Sequence, residues 1–260
     1  MDPSANQAVV TAEQSTFELV KPAYELVRRN LKAFLFVSVP TILSAALSVS
    51  GQFGTELGPE QVQGSFAEFS IPPVETLLVL LVLGILVAFV VVLVGAFFQA
   101  MSASLQVRVA AGEQPSTSSL VQDGKKYTWR MVVMGLVAGL IVLVGLILLI
   151  VPGIIAIMRL MFAPYHLVDK DLSVREALKA SNEQAKQNSK EVWKVLGVLS
   201  VLGLAAGLVE AAIPIIGVLL SSAVFIVIGV VPVLRYQQLK LPNYPAASGS
   251  ELPEHNQPIA

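Results

Sequence analysis

The run MVVMGLVAGLIVLVGLILLIVPGIIAIMRLMFAPYHLV, Met131 to Val168, contains a single charge, Arg159. As one helix it would be about 57 Å long, against about 30 Å of hydrocarbon in a bilayer. It is too long to cross once and long enough to cross twice. Pro152-Gly153 offers the reversal. Proline lacks a backbone donor and clashes with the preceding turn, and glycine reaches the dihedrals a tight turn needs. Spans are expected at 131–150 and 153–168, joined by a hairpin that hardly leaves the membrane.

The same pattern recurs on either side. Val195 to Leu234 is split by Pro214 into spans at 195–212 and 215–234, with Pro232 kinking the last turn. Upstream, Ala33–Thr55 and Thr76–Val107 are free of charge and hold spans at 31–49 and 74–98. Gln99 to Ala111 is polar enough to leave the bilayer as helix. The expected fold is an all-α integral membrane protein. Its six transmembrane helices form three hairpins, each preceded by an interfacial amphipathic helix. The membrane domain covers 15–240. A polar stretch, 1–14, and a tail rich in Pro, Ser, Asn and Ala, 241–260, are expected to be disordered.

Charge placement gives the topology. Of the 17 Lys and Arg residues, all but Arg159 flank the same ends of the apolar runs. The opposite connection, Gly51–Pro73, carries Glu56, Glu60 and Glu68 and no base. Basic ends stay in the cytoplasm, so both termini are expected there, in a plasma (inner) membrane protein. The first run follows Arg28, Arg29 and Lys32, continues to about Val49, and has no A-x-A-like cleavage site. It reads as a retained signal anchor.

Composition agrees. Hydrophobic residues make up 55% of the chain and charged residues only 13%, whereas a soluble domain carries about 25% charged. A net charge of −1 argues against a nucleic-acid partner. The absence of cysteine excludes disulfides and thiol chemistry.

The segments before spans one, three and five resemble one another. In the first, Phe17, Val20, Tyr24, Val27 and Leu31 recur at helical spacing, with Ser15 and Glu18 in capping-box relation. In the third, Ser173 and Glu176 repeat that relation ahead of a stripe of Val174, Ala177, Leu178 and Ala185. The second, Ser116–Thr128, is interrupted by Gly124. Trp129 and Trp193 occupy matching entries to spans three and five, where an indole anchors at the headgroup level. Three repeated units explain this pattern. Basic amphipathic connectors of the kind any multi-span protein has are the plainer alternative.

Candidate chemistry is sparse. Arg159, seven residues past Pro152, is placed about 10 Å below the outer boundary. Glu210 lies at similar depth and is its natural counter-ion, with Glu75 the second candidate. The pair is either an ion or substrate site or a buried salt bridge that fixes helix register. No chain of ionisable groups accompanies it, which favours the salt bridge. His166, near Asp169 and Asp171, reads as a solvated residue at the inner boundary rather than a metal ligand. Gln99, Ser102 and Ser104 mark an exit into water. Small-xxx-small spacings at Gly135/Gly139 and Gly203/Gly207 suggest faces that pack on neighbouring helices. No catalytic, cofactor-binding or metal-binding set emerges.

The stretch Gly145–Gly197 resembles the membrane domain attached to glycerophosphoryl diester phosphodiesterases and its stand-alone prokaryotic relatives of unknown function. The likeness is carried by Pro152, Gly153, Arg159, Ala163, Pro164, Asp169, Glu176, Ala177, Leu178, Ser181 and Trp193. It implies an all-helical integral membrane domain. It does not imply the phosphodiesterase activity, which in such fusions belongs to a separate soluble barrel. The assigned segments leave no room for that barrel in these 260 residues.

The expected function is a non-enzymatic structural, scaffolding or accessory membrane component. Its partners would be the lipid bilayer, with anionic headgroups at the cytoplasmic face, and a membrane protein or a second copy. The alternative is a small transporter or channel with a site near Arg159 and Glu210.

Overall fold

The computed structural model describes residues 15–54 and 73–240, and all regular structure among those residues is helical. The expected disordered ends, 1–14 and 241–260, and Glu56, Glu60 and Glu68 of the outer connection lie outside the described residues. The helices are α1 (Val20–Arg29), α2 (Leu31–Val37), α3 (Val39–Gly54), α4 (Val74–Ala110), α5 (Thr117–Leu148), α6 (Ile150–Leu160), α7 (Ala163–Asp169), α8 (Val174–Gln187), α9 (Ser189–Ala212), α10 (Pro214–Ile228) and α11 (Val231–Gln238).

Among the described residues, five stretches are long and apolar enough to cross a membrane: Val74–Ala110, Thr117–Leu148, Ile150–Asp169, Ser189–Ala212 and Gly217–Gln238. The first expected span, 31–49, is instead divided into α2 and α3 at Ser38. Pro40 has no N–H to offer the preceding turn, which accounts for an interruption there.

Two reversals share one construction. A single extended residue ends each outgoing helix: Leu149 (φ −165°, ψ 147°) after α5 and Ile213 (φ −135°, ψ 80°) after α9. The turns therefore precede the expected prolines. Pro152 and Pro214 lie in the first turn of the returning helices, where a missing N–H leaves no bond unmade.

Four residues past each turning residue stands a glycine, whose N–H bonds that residue's carbonyl: Gly153 to Leu149 at 3.4 Å and Gly217 to Ile213 at 2.6 Å. A Cβ on Gly217 would lie 2.8 Å from the Val209 carbonyl, and one on Gly145 would lie 2.9 Å from the Gly153 Cα. Helix backbones touch at these points, and only hydrogen fits between them. One spacing, 64 residues, separates Leu149 from Ile213, Gly153 from Gly217 and Trp129 from Trp193.

Both returning helices break again near their far ends. α7 and α11 each start one residue ahead of a proline, Pro164 and Pro232, so the expected kink at Pro232 is an interruption at Gly229–Val230.

The core lies at this end of the molecule. It is built from the second half of α4 (Ala96, Ala100, Met101, Leu105), the start of α5 (Leu120, Tyr127, Met131), α7, α11, and apolar residues of α1 and α8. The opposite ends splay into apolar surface. From Val74 to Gly95 every residue of α4 is exposed except the half-buried Leu93, and α5 is largely exposed from Leu136 onward.

Several expectations change. Gln99–Ala111 continues α4 into protein rather than into water, with Ser104 fully buried and Gln99 alone of the polar trio exposed. Gly124 does not interrupt the second unit. α5 is continuous from Thr117, with no separate interfacial helix, and Gly124 is where α4 crosses, Phe97 and Met101 lying 2.7 Å from any added Cβ. Phe17, Tyr24 and Leu31 are exposed, and α1 buries the neighbouring face of Ala23, Leu26 and Val27. Nothing lies within 4 Å of a Cβ on Gly135, Gly139 or Gly207, and Gly203 meets only Phe225 at 3.9 Å. Among the described residues, therefore, only Gly203 of these four has a helix of this chain against it.

Gly217→Ala should cost about 1–3 kcal/mol, because overpacking a closed contact forces the backbone apart. Gly139→Ala, facing open space, should be neutral or slightly stabilising. Thermal unfolding in detergent micelles compares them, and equal losses would contradict the turn geometry.

Candidate functional site

A guanidinium in an apolar setting needs water, a carboxylate or a phosphate. Arg159 lies in the last turn of α6, ten residues past the turn at Leu149, which is about 15 Å by helical rise. Glu210 stands three residues before the turn at Ile213, only about 4–5 Å from its own apex. The two are at different depths, and no ion pair within 4 Å joins them. Counting depth from Pro152 instead of Leu149 placed Arg159 too near the outer end. Glu210 accepts a hydrogen bond from Ser221 Oγ of α10 at 2.9 Å. Glu75, in the first turn of α4, does not pair with Arg159 either.

Arg159 instead borders a cleft of about 590 Å³ between α5, α6 and α8, and its side chain is exposed there. Its carbonyl accepts Ser181 Oγ at 2.8 Å, which fastens the middle of α8 to the end of α6. This bond sets Lys179 and Asn182 on the rim of the same cleft. α8 is formed locally by its capping box. Ser173 Oγ caps Glu176 N–H, and Glu176 returns a bond to Ser173 N–H at 3.0 Å. The Ser173 hydroxyl, followed by its backbone N–H, holds the Glu176 carboxyl below the usual range.

Trp129 and Trp193 are 64% and 51% exposed, at corresponding positions near the inner limits of the apolar surfaces of α5 and α9.

The densest polar arrangement was not foreseen. Arg235 of α11, 2% exposed, lies 3.3 Å from Glu191 of α9 and donates to Thr16 Oγ1 at 2.7 Å. Its neighbour Tyr236 donates to Asp169 at 2.8 Å, and Lys240 pairs with the same carboxylate. His166 is not solvated. It is 5% exposed, with Nε2 2.7 Å from Gln184 and Nδ1 3.4 Å from the Tyr236 hydroxyl. Nε2 meets the side-chain oxygen of Gln184, while the Tyr236 hydroxyl beside Nδ1 gives its proton to Asp169. Among the described residues no group of three His, Asp or Glu residues is disposed to hold a metal ion.

Around this layer Ser104 and Arg108 of α4 meet Asp123 of α5. Lys126 and Arg130 both reach Asp171, which adopts a left-handed conformation (φ 50°) between α7 and α8. Short polar side chains tolerate that conformation better than most. The Lys126 bond, then the Arg130 bond, holds the Asp171 carboxyl below the usual range. The arrangement as a whole ties helix ends together.

The carboxylates Asp123, Asp169, Asp171 and Glu191 all sit among basic residues in the sequence, a signal that could have suggested ion pairs. Which base meets which acid depends on separations of up to 71 residues.

Glu191→Ala should destabilise by about 3 kcal/mol, because it leaves a buried guanidinium without its carboxylate. Lys194→Ala, which removes an exposed partner of the same carboxylate, should cost under about 1 kcal/mol. Denaturation in detergent distinguishes them. A second test uses pH. Because its carboxyl value is lowered on folding, Asp171 stabilises the fold above the ordinary value of 3.8 and ceases to as pH falls through the lowered one. The small gap in melting temperature between the native chain and Asp171→Asn should be full at neutral pH and close in acid. A gap that is constant with pH would count against the pairing.

No family model, curated protein or solved structure matches this chain.

Proposed function

We propose that the chain is a six-span protein of the plasma membrane, both termini cytoplasmic, serving as a non-enzymatic structural, scaffolding or accessory component. The observation that carries this reading is the bare outer half of α4. Leu77 to Val94 is apolar, about 27 Å long by helical rise, and exposed on nearly every side. So large an apolar surface calls for lipid or a partner's membrane helices.

The sixth span is α2 with α3. Across Ser38 the bonds Ser38 N–H to Phe34 O and Ile42 N–H to Ser38 O keep the chain advancing in one direction, and 31–54 rises about 36 Å. The cytoplasmic orientation is supported by basic residues gathered at the packed end, where Arg108, Lys126, Arg130, Arg235 and Lys240 all meet carboxylates. The resemblance of Gly145–Gly197 to phosphodiesterase-linked membrane domains supports the architecture and lends no activity. The alternative, a small transporter or channel, loses the Arg159–Glu210 pair but keeps the repeat, the proline-marked hairpins and the cleft beside Arg159 as its support.

Two experiments test the proposal. A reporter active only in the cytoplasm should give signal when fused after Lys240 and none when placed near Gly58, and the reverse would overturn the topology. Mild-detergent purification should recover a partner protein, a second copy or enriched lipid. Recovery of a bare monomer would contradict the accessory role.

A further inference from the structure

The cleft between α5, α6 and α8 joins polar and apolar lining. Arg159, Lys179 and Asn182 border it, and at its apolar end Ile155 lies one turn nearer the hairpin tip than Arg159, with Ile141 supplied by α5. We propose that it is a binding site for one anionic glycerophospholipid. The phosphate would lie against Arg159 and Lys179, and an acyl chain would run along Ile141 and Ile155. The inference rests on the membrane reading above and adds to it a specific lipid site.

Three observations converge on it. The first is charge. Arg159 has no ion pair among the described residues, and Lys179 has only Glu183 at 3.9 Å, both of that pair well exposed. Two cations on one rim, with no buried carboxylate between them, complement a phosphodiester. A guanidinium matches its oxygens in a fork, and an ammonium adds a point charge.

The second is position. On α6 the exposed apolar surface, Val151 and Ile157, ends at Arg159, and on α5 it begins at Leu136. Arg159 thus sits where the exposed apolar surface of α6 ends, about 15 Å from the turn at Leu149 and beside an amphipathic helix. There a long basic side chain keeps its stem in hydrocarbon and its head among phosphates.

The third is continuity. Ile141 is exposed as well as lining the cleft, with Leu140 exposed beside it, so the apolar end opens onto the surface facing the membrane. A free phosphate ion would use the polar rim and leave that wall unfilled. A lipid uses both. The cleft is also preformed, because the bond from Ser181 Oγ to the Arg159 carbonyl fixes α8 against α6 independently of any ligand. Little ordering is then required on binding.

The test uses the full chain, purified in mild detergent, with native mass spectrometry as phosphatidylglycerol, phosphatidylcholine or inorganic phosphate is added. The native protein should retain one phosphatidylglycerol in preference to phosphatidylcholine, and inorganic phosphate should not displace it. The double variant Arg159→Gln with Lys179→Gln should bind that lipid about thirtyfold more weakly, since each base near the membrane surface contributes about fivefold. The control Arg175→Gln with Lys186→Gln removes equal charge from α8 away from the cleft and should leave the specific lipid in place.

Equal retention by native protein and double variant would overturn the site, as would equal loss in the control. Displacement by inorganic phosphate would reassign the cleft to a free anion. A photoreactive residue in place of Ile155 gives a readout that leaves both charges intact. Cross-linking to the anionic lipid is expected, and its absence would overturn the proposal even if the charge variants fold poorly. Failure of the membrane reading is separately visible, as a chain recovered in the soluble fraction.

Discussion

A buried guanidinium organises the inner end of this molecule. Arg235 can be withdrawn from water only because Glu191 and Thr16 meet it. In meeting it they join the start of the chain, the entry of α9 and the last helix. Tyr236, next in sequence, extends the knot to Asp169 and His166 at the end of the α5–α6–α7 unit. Two adjacent residues of a short helix thus draw the segment ahead of α1, the end of the α5–α6–α7 segment and the start of α9 to one place. The surrounding core of small and aromatic residues, among them Ala100, Phe162 and Tyr165, closes over that knot. Helix ends that would otherwise expose polar backbone and charge are thereby paired with one another.

This explains why the two ends of the molecule differ. Where ion pairs and aromatic rings converge, helices are in contact. Beyond them, α4 leaves the core and runs some twenty residues exposed among the described residues. Lipid is as apolar as leucine, so side chains there gain little by packing on one another. Cohesion in such a protein concentrates where polar groups need partners.

Much of this architecture was legible in the sequence because it follows from one-dimensional constraints. Length against bilayer thickness required the run from Met131 to Val168 to fold back, and the proline in each long run marked the neighbourhood of the reversal. The capping box at Ser173 was readable for the same reason, being a four-residue pattern. The errors came where a local pattern stood in for a spatial one. Proline was taken as the turning residue, although it opens the returning helix and the turn belongs to Leu149 and Ile213. That three-residue displacement was enough to misplace Arg159 and pair it with Glu210. Gly124 was read as a breaker, when its missing side chain makes room for Phe97 and Met101. His166 looked solvated because nothing near it in sequence could bury it, and its partner Tyr236 lies 70 residues away.

The one-residue reversals also bear on how such a chain can change over time. At Leu149 and Ile213 the connection has no slack, and the glycine four positions on must face the preceding helix backbone. An α-helix turns about 100° per residue, so inserting or deleting a single residue at either apex would swing that glycine aside and drive a larger side chain into the neighbouring backbone. Sequence drift can therefore alter what the hairpin tips are made of far more readily than how long they are.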